Sequence, residues 1–471
     1  MTAAPAVPLR WTATVTALLL SCVLIGPARP AAEGAPAARG PELVQPPELV
    51  SEDGRLDVRL TVQEERVRLG ARKVAALVYD GRFMPPTLRV RPGDRLDITL
   101  VNQASSATNL HTHGLHVSPE GHADNMAVRI LPGEKWRYSY RFPEGQPPGT
   151  YWYHSHAHPQ AEGQVFAGLA GAIVVEGLDR YLPPPLRGLP ERLVALKDFQ
   201  VRDGAIPTDN IDSNAPTTRT VNGLVNPTLR IRPGETQLWR LANMSANITY
   251  QVELPGTRFH VIAQDGNPLH RVWQRDRLLM PPASRYDVLV QGGPPGRTGL
   301  RTLAYTTGPA GDRYPQAVLA TVVSEGAALP PARLPTLLAP FDDLRAAPVD
   351  RRRTVTFSQD KRKNRFFVNG REFDPERVDI RVRLGTTEEW TVRNDSDEEH
   401  AFHIHINPFQ VISVNGRPYD ARGRQDTVQL PVRGEVVIRT RFRDFVGVFP
   451  VHCHILNHED RGMMANVEVV R

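Results

Sequence analysis

Three stretches of this chain are variations on one pattern, and that repetition limits the fold more than any other feature. They are PTLRVRPGDRLDITLVN (86–102), PTLRIRPGETQLWRLAN (227–243) and DIRVRLGTTEEWTVRN (379–394). Each alternates apolar and polar residues, turns at a glycine, alternates again and ends on asparagine. The glycine-to-asparagine spacing is nine in all three: Gly93 to Asn102, Gly234 to Asn243, Gly385 to Asn394. Alternation is the period of a strand with one buried face, so each stretch predicts two strands of an antiparallel sandwich around a glycine turn. Three unrelated hairpins would have no reason to keep one spacing. The expected fold class is therefore all-β, with three copies of one β-sandwich, and the 43 prolines and 36 glycines fit many short strands and turns.

The boundaries follow from the repeat. The first copy is expected at 55–178, the second at 191–325 and the third at 351–471. LPPPLRGLP (182–190) and the proline-rich residues 326–350 read as linkers. The copies differ in a useful way. Nine residues past Asn102 stands His111, followed by His113 in HTHG. Nine past Asn394 stands His403, followed by His405 in HIH. Nine past Asn243 stands Val252, with no histidine. The ends also repeat: GTYWYHSH (149–156) closes the first copy and GVFPVHCH (447–454) the third, with Ser155 in the place of Cys453.

The third copy ends in GVFPVHCHILNHEDRGMM (447–464), which gathers His452, Cys453, His454, His458 and Met463. One thiolate, two imidazoles and a distant thioether are the donor set of a blue-copper electron-transfer site. Cys453 and His458 supply two equatorial ligands, Met463 is placed for the weak axial contact, and His400, three before His403, completes the set. On a strand His452 and His454 point away from Cys453 and are expected to bind something else. The four His-x-His pairs, 111/113, 154/156, 403/405 and 452/454, offer eight imidazoles. That is too many for one ion and fits three coppers held between the first and third copies. An ordinary hydrogen-bonded histidine is the bland reading of any one of these, but it does not explain their shared spacing. Structural zinc sites are closed four-ligand units and do not explain eight paired histidines beside a Cys/Met site.

Of 57 basic residues only five are lysines (73, 135, 197, 361, 363), leaving 52 arginines at a formal charge of +6. Arg351–Arg353 and Lys361–Lys363 are the best basic patches and read as solvated charge, not as a nucleic-acid surface. Residues 1–28 fit an export signal: Arg10, the apolar run 11–25, then small residues 26–28. The apolar run is short for a membrane span. Residues 29–54 read as a Pro/Ala-rich leader. LLSC (19–22) resembles a lipoprotein cleavage box, making Cys22 a candidate lipid anchor. An exported protein, periplasmic or extracellular, is expected, with a membrane-anchored lipoprotein as the alternative. Without Cys22 the chain has one cysteine and no internal disulfide.

HTHG, HSH, HAFHIH and HCHILNHEDRGMM together resemble the ligand motifs of the three-domain multicopper oxidases, in particular the bacterial laccase-like and copper-efflux oxidases, over residues 55–471. The resemblance implies three cupredoxin-like Greek-key β-sandwich domains and four copper ions. His400, Cys453, His458 and Met463 would hold the type 1 copper. His111 and His403 would hold the type 2 copper. His113, His154, His156, His405, His452 and His454 would hold the type 3 pair. Glu459 and Asp124 look like family proton-relay residues, although DNMAVR after Asp124 departs from the commoner pattern and a loop cap is the other reading of that aspartate. A monomer suffices, since both halves of the cluster lie in one chain.

The expected activity is one-electron oxidation of a phenolic or similar aromatic reductant coupled to four-electron reduction of O₂ to water. A cuprous or manganous metallo-oxidase is the alternative. The methionines (1, 84, 126, 244, 280, 463, 464) form no cluster outside the site, which favours the phenol. A copper-free structural protein of the same fold is disfavoured by the complete ligand set. A two-domain nitrite reductase is disfavoured by the three copies.

Overall fold

The alternating stretches form strands with one buried and one exposed face. Arg55–Leu69 alternates strictly over its first half, with Leu56, Val58, Leu60 and Val62 buried. The structure is a computed structural model that describes Met1, Thr2 and residues 40–471. The export signal and Cys22 lie outside the described residues. No helix among those described is long and apolar enough to cross a membrane. Gly40–Arg471 is one compact unit, built of three pairs of sheets and a two-stranded ribbon of 305–306 with 313–314.

The repeat is visible in the topology. In the first sandwich one sheet runs 87–90, 170–175, 149–154, 111–113. The second has 228–231, 317–324, 296–302, 250–253 in the same order, and the third 378–383, 464–470, 447–453, 400–404. In all three the glycine turn carries the chain from this sheet to the opposite one, so its two strands face each other across the core and are not a hairpin. Gly93, Gly234 and Gly385 have φ of +87°, +75° and +85°, a region that a Cβ disfavours. The sheets are mixed and not purely antiparallel: 55–69 pairs parallel with 95–102, 191–199 with 236–243, and 351–360 with 387–394.

The repeated asparagines are buried loop organisers. Asn102 Nδ2 donates to Ser106 O and Ile130 O while its Oδ1 accepts from Ala104 N. Asn243 does the same with Ile248, Met280 and Ser245, and Asn394 with Glu398, Pro431 and Ser396. Each fixes the loop that leads to the strand where the histidines stand or, in the second copy, do not. Backbone that would otherwise be unsatisfied in the interior is thereby paired.

Residues 40–54, expected as leader, are docked. Leu43 N donates to Thr228 O, Gln45 bonds both backbone groups of Leu193, and Glu48–Val50 pairs parallel with Thr87–Val90. The first and third sandwiches meet where the helix Ala161–Ala167 packs on the helix Leu456–Asp460. The Asp460 carboxylate accepts from Ala161 N and Glu162 N, closing the first helix's free amides.

Candidate metal centre

The same strand pairing delivers histidines from both sandwiches. His111 stands opposite His154 in the first, His403 opposite His452 in the third. At the equivalent place in the second sandwich Val252 faces Thr302. Only the 111/113 pair lies wholly within a strand. His156, His405 and His454 fall just past strand ends, and the chain's bend there, not strand alternation alone, brings them in.

His400, Cys453 and His458 form one buried triangle. His400 Nδ1 is 3.1 Å from His458 Nδ1, and Cys453 Sγ is 3.7 and 3.6 Å from these nitrogens. Met463 is buried and tied to the same residues: Cys453 N donates to Met463 O and Met463 N to His458 O. The repeat reaches into this triangle, because His400 Nε2 bonds Ser396 Oγ (2.7 Å), which donates to Asn394 Oδ1 (2.6 Å). That contact leaves Nδ1 as the free ring nitrogen. Burial lowers the pKa of His400 to about 3 and pushes the Cys453 thiol above its ordinary range. Neutral imidazoles are ready ligands, and a thiolate buried here requires a cation against it.

The eight paired histidines, all buried, converge between the first and third sandwiches. His405 Nε2 and His156 Nε2 lie 3.1 and 3.3 Å from His452 Nε2. Such spacings match the edges of a coordination shell with metal–nitrogen bonds of about 2 Å. His111 Nε2, His113 Nδ1, His154 Nε2, His403 Nε2 and both His454 nitrogens have no hydrogen-bond partner. The opposite nitrogens of four of these rings are engaged: His111 Nδ1 by Asp124, His113 Nε2 by Asp426, His154 Nδ1 by Ser155 O, His403 Nδ1 by Asp426 O. Buried lone pairs left over after the other nitrogen is fixed are what a bound metal requires. Burial, then the neighbouring imidazoles, holds His111, His154 and His454 well below the ordinary histidine range.

Asp124 and Glu459 both border the histidine cluster. Asp124, 1% exposed, accepts from His111 Nδ1 (2.8 Å) and Thr112 N (2.9 Å). Glu459 Oε2 is 2.8 Å from His452 Nδ1 and its Oε1 is 3.5 Å from His156 Nδ1. Burial raises the Glu459 pKa, against the pull of His156. A third acid, Asp426, also borders the cluster. It touches His113 across 313 positions of sequence and is itself gripped by Arg285 of the second sandwich. No local motif marks it. The segment 415–427 runs against the second sandwich, where Arg422 donates to Val272 O and His270 N to Arg422 O. The neighbours of His458 are Phe366, stacked on its ring, and Glu398, 3.7 Å from Nε2. Of the remaining histidines, His116 links Ile406 O to Asp444, joining the first and third sandwiches, and His158 Nδ1 is 3.7 Å from Asp460 Oδ1.

Family models described as multicopper oxidase match residues 61–180, 195–297 and 346–471, covering all three sandwiches. The chain belongs to the multicopper oxidases. The oxidase is similar to a metallo-oxidase from Campylobacter jejuni (28% identity, 92% of this chain and 96% of that one, TM-score 0.81). It is similar as well to a laccase-like CueO from Ochrobactrum sp. with activity towards lignin model compounds (26%, 91% and 100%, TM-score 0.78). A third similarity is to the cell division protein FtsP of Edwardsiella tarda (30% identity over 79% of this chain and 80% of that protein). The oxidase thus has the cupredoxin-type all-β fold and the family reaction, oxidation of a reductant coupled to reduction of O₂ to water.

Proposed function

We propose that this oxidase is laccase-like, taking electrons from phenolic or similar aromatic reductants at the His458 edge. Four coppers would be held as follows: type 1 by His400, Cys453, His458 and Met463; type 2 by His111 and His403; type 3 by His113, His154, His156, His405, His452 and His454. The observation that carries the assignment is the set of buried, partnerless imidazole nitrogens facing one another beside the Cys453 triangle. When bound, copper supplies one-electron acceptance at the Cys453 position and four-electron reduction of O₂ at the histidine cluster.

The chain's own residues provide the rest. Cys453 joins the two groups by one peptide link on each side, to His452 and His454. Phe366 covers the ring face of His458 and keeps water from it, leaving the Nε2 edge toward Glu398. Glu459 stands with Oε2 beside His452 Nδ1, where its carboxyl group is placed to carry a proton to the cluster, and Asp124 receives the Nδ1–H of His111 and fixes that ring.

An aromatic reductant is favoured because Met84, Met244, Met280, Met463 and Met464 are all buried and offer no exposed thioether array for cuprous ions. The second reading, a metallo-oxidase, draws on Glu398 near His458, a carboxylate suited to a cation, and on the Campylobacter similarity. A copper-free structural role conflicts with the complete ligand set. Export fits the apolar run 11–25, and anchoring at Cys22 is its alternative form. Cell fractionation and N-terminal sequencing of the mature protein decide between them. For the substrate, turnover on a methoxyphenol is compared with turnover on Cu(I) and Mn(II) by the copper-loaded enzyme. A preference for either metal ion overturns the laccase-like reading, and failure of the purified chain to take up copper overturns the ligand assignment.

A further inference from the structure

We propose that Arg285 and Asp426, a buried ion pair joining the second sandwich to the third, are positioning residues for the histidine cluster and act through His113. The inference rests on the ligand assignment above. The second sandwich contributes no ligand, yet Arg285, 1% exposed, reaches out of it. Its Nη1 and Nη2 donate to Asp426 Oδ1 (2.9 Å) and Oδ2 (2.8 Å), its Nη1 also to Ala283 O (3.0 Å), and its Nε to Thr150 O (3.2 Å) in the first sandwich. This fork fixes the plane of the carboxylate. Asp426 Oδ1 then accepts from His113 Nε2 (3.0 Å) and Thr427 Oγ1 (2.8 Å), while its main-chain oxygen accepts from His403 Nδ1 (2.9 Å). One residue therefore orients an imidazole from each half of the cluster.

His113 differs from its neighbours in a way that requires this. His111, His154 and His403 are fixed at Nδ1 and leave Nε2 free; His113 is fixed at Nε2 and leaves Nδ1 free. An imidazole without an acceptor on its far side has two tautomers, and the carboxylate selects the one whose Nδ1 lone pair faces the cluster. Gly114 supplies an independent sign. A Cβ there would lie 2.4 Å from Arg285 Nη2 and 2.5 Å from Asp426 Oδ2, and its φ is +86°. The glycine of HTHG is thus the opening through which the ion pair reaches His113. Asp265 completes the arrangement: its Oδ1 accepts from Arg285 N (2.8 Å), and its Oδ2 lies 3.3 Å from the amides of Asp426 and Thr427.

The test uses the full-length, copper-loaded enzyme and its Asp426→Ala, Asp426→Asn and Arg285→Lys variants. Copper per chain, the visible band of the thiolate–copper centre, the electron paramagnetic resonance spectrum and turnover are measured on each. Asp426→Ala is expected to keep the visible band, lose copper from the cluster and lose about tenfold or more in turnover, as outer-shell partners of metal ligands do. Asp426→Asn keeps an acceptor for the Nε2–H and is expected to recover the copper content and part of the turnover. A merely structural role would lower the visible band and the cluster together and would not be rescued by asparagine, so that pattern overturns the inference. Wild-type copper content, resonance spectrum and turnover in Asp426→Ala also overturn it. If the alanine variant does not fold, Arg285→Lys decides: reduced turnover with an unchanged visible band supports the inference, and wild-type values for both overturn it. Absence of cluster copper from the wild-type enzyme itself would instead overturn the ligand assignment on which this inference stands.

Discussion

Phe366 lies flat against His458, with ring centroids 4.2 Å apart and planes 18° from parallel. The stacked ring leaves the imidazole only 5% exposed, so a reductant meets an edge and not a face. Phe366→Ala is expected to raise kcat/KM for bulky phenols relative to small ones, because the uncovered face admits a larger ring. The same change removes a buried aromatic and is expected to cost about 3 kcal/mol of stability, seen as a lower Tm. An unchanged ratio between bulky and small phenols would show that another group controls access.

Cys453 is the covalent junction between the two groups of proposed ligands. Cys453→Ser is expected to abolish the visible colour and reduce turnover to background, while copper at the histidine cluster remains, since none of its nitrogens is touched. Copper analysis with visible spectroscopy checks both halves of this statement. Full turnover in the serine variant would mean that electrons enter by another route.

Glu459 offers a pH-dependent prediction. Burial raises its pKa, so the protonated form persists above the ordinary glutamate range, and a carboxyl proton stays available beside His452 at neutral pH. Glu459→Gln keeps the size and removes the titratable proton. Turnover is expected to fall by about 10²-fold or more, within the usual range for a positioned proton carrier. The alkaline limb of the pH–rate profile is expected to change shape, while the visible band stays as in the wild type. A pH profile identical in the two enzymes would remove Glu459 from the proton path.

Lys197 tests the energetics of the interface between the first and second sandwiches. It is 1% exposed, and its Nζ donates to Val165 O (3.3 Å) at the end of the helix Ala161–Ala167. Burial lowers its pKa to about 7, with Asp198 opposing. Between about 7 and the ordinary lysine value the unfolded chain binds a proton that the folded one does not, so stability rises with pH across that window and is lost as pH falls through it. Lys197→Met is therefore expected to raise Tm at pH 6–7, by an amount equivalent to about 1–4 kcal/mol, and to lose that advantage as pH approaches 10. Melting curves at pH 6.5 and 9.5 check the sign.

Much of this arrangement was legible in the chain because the relevant signals are local. The nine-residue spacing from Gly93 to Asn102 and its two echoes mark a corner between two sheets, since one left-handed turn and one loop-bonding asparagine must recur wherever that corner recurs. His452, Cys453, His454 and His458 declare themselves by donor chemistry within one short segment. Residues 40–54 have the composition of a leader, whereas their order comes from bonds to the backbone of Thr228 and Leu193, far along the chain.

The sequence by itself determined the three-fold repeat, the all-β class and the side chains proposed as ligands, because strand period, turn residues and donor atoms are properties of neighbouring residues. Only the tertiary structure decided which nitrogen of each histidine is free, which residues cover His458, and that Asp426 and Arg285 stand behind His113. The physical reason is separation. Arg285 and Asp426 are 141 positions apart and His113 and Asp426 are 313 apart, so their bonds exist only once three sandwiches have closed on one another.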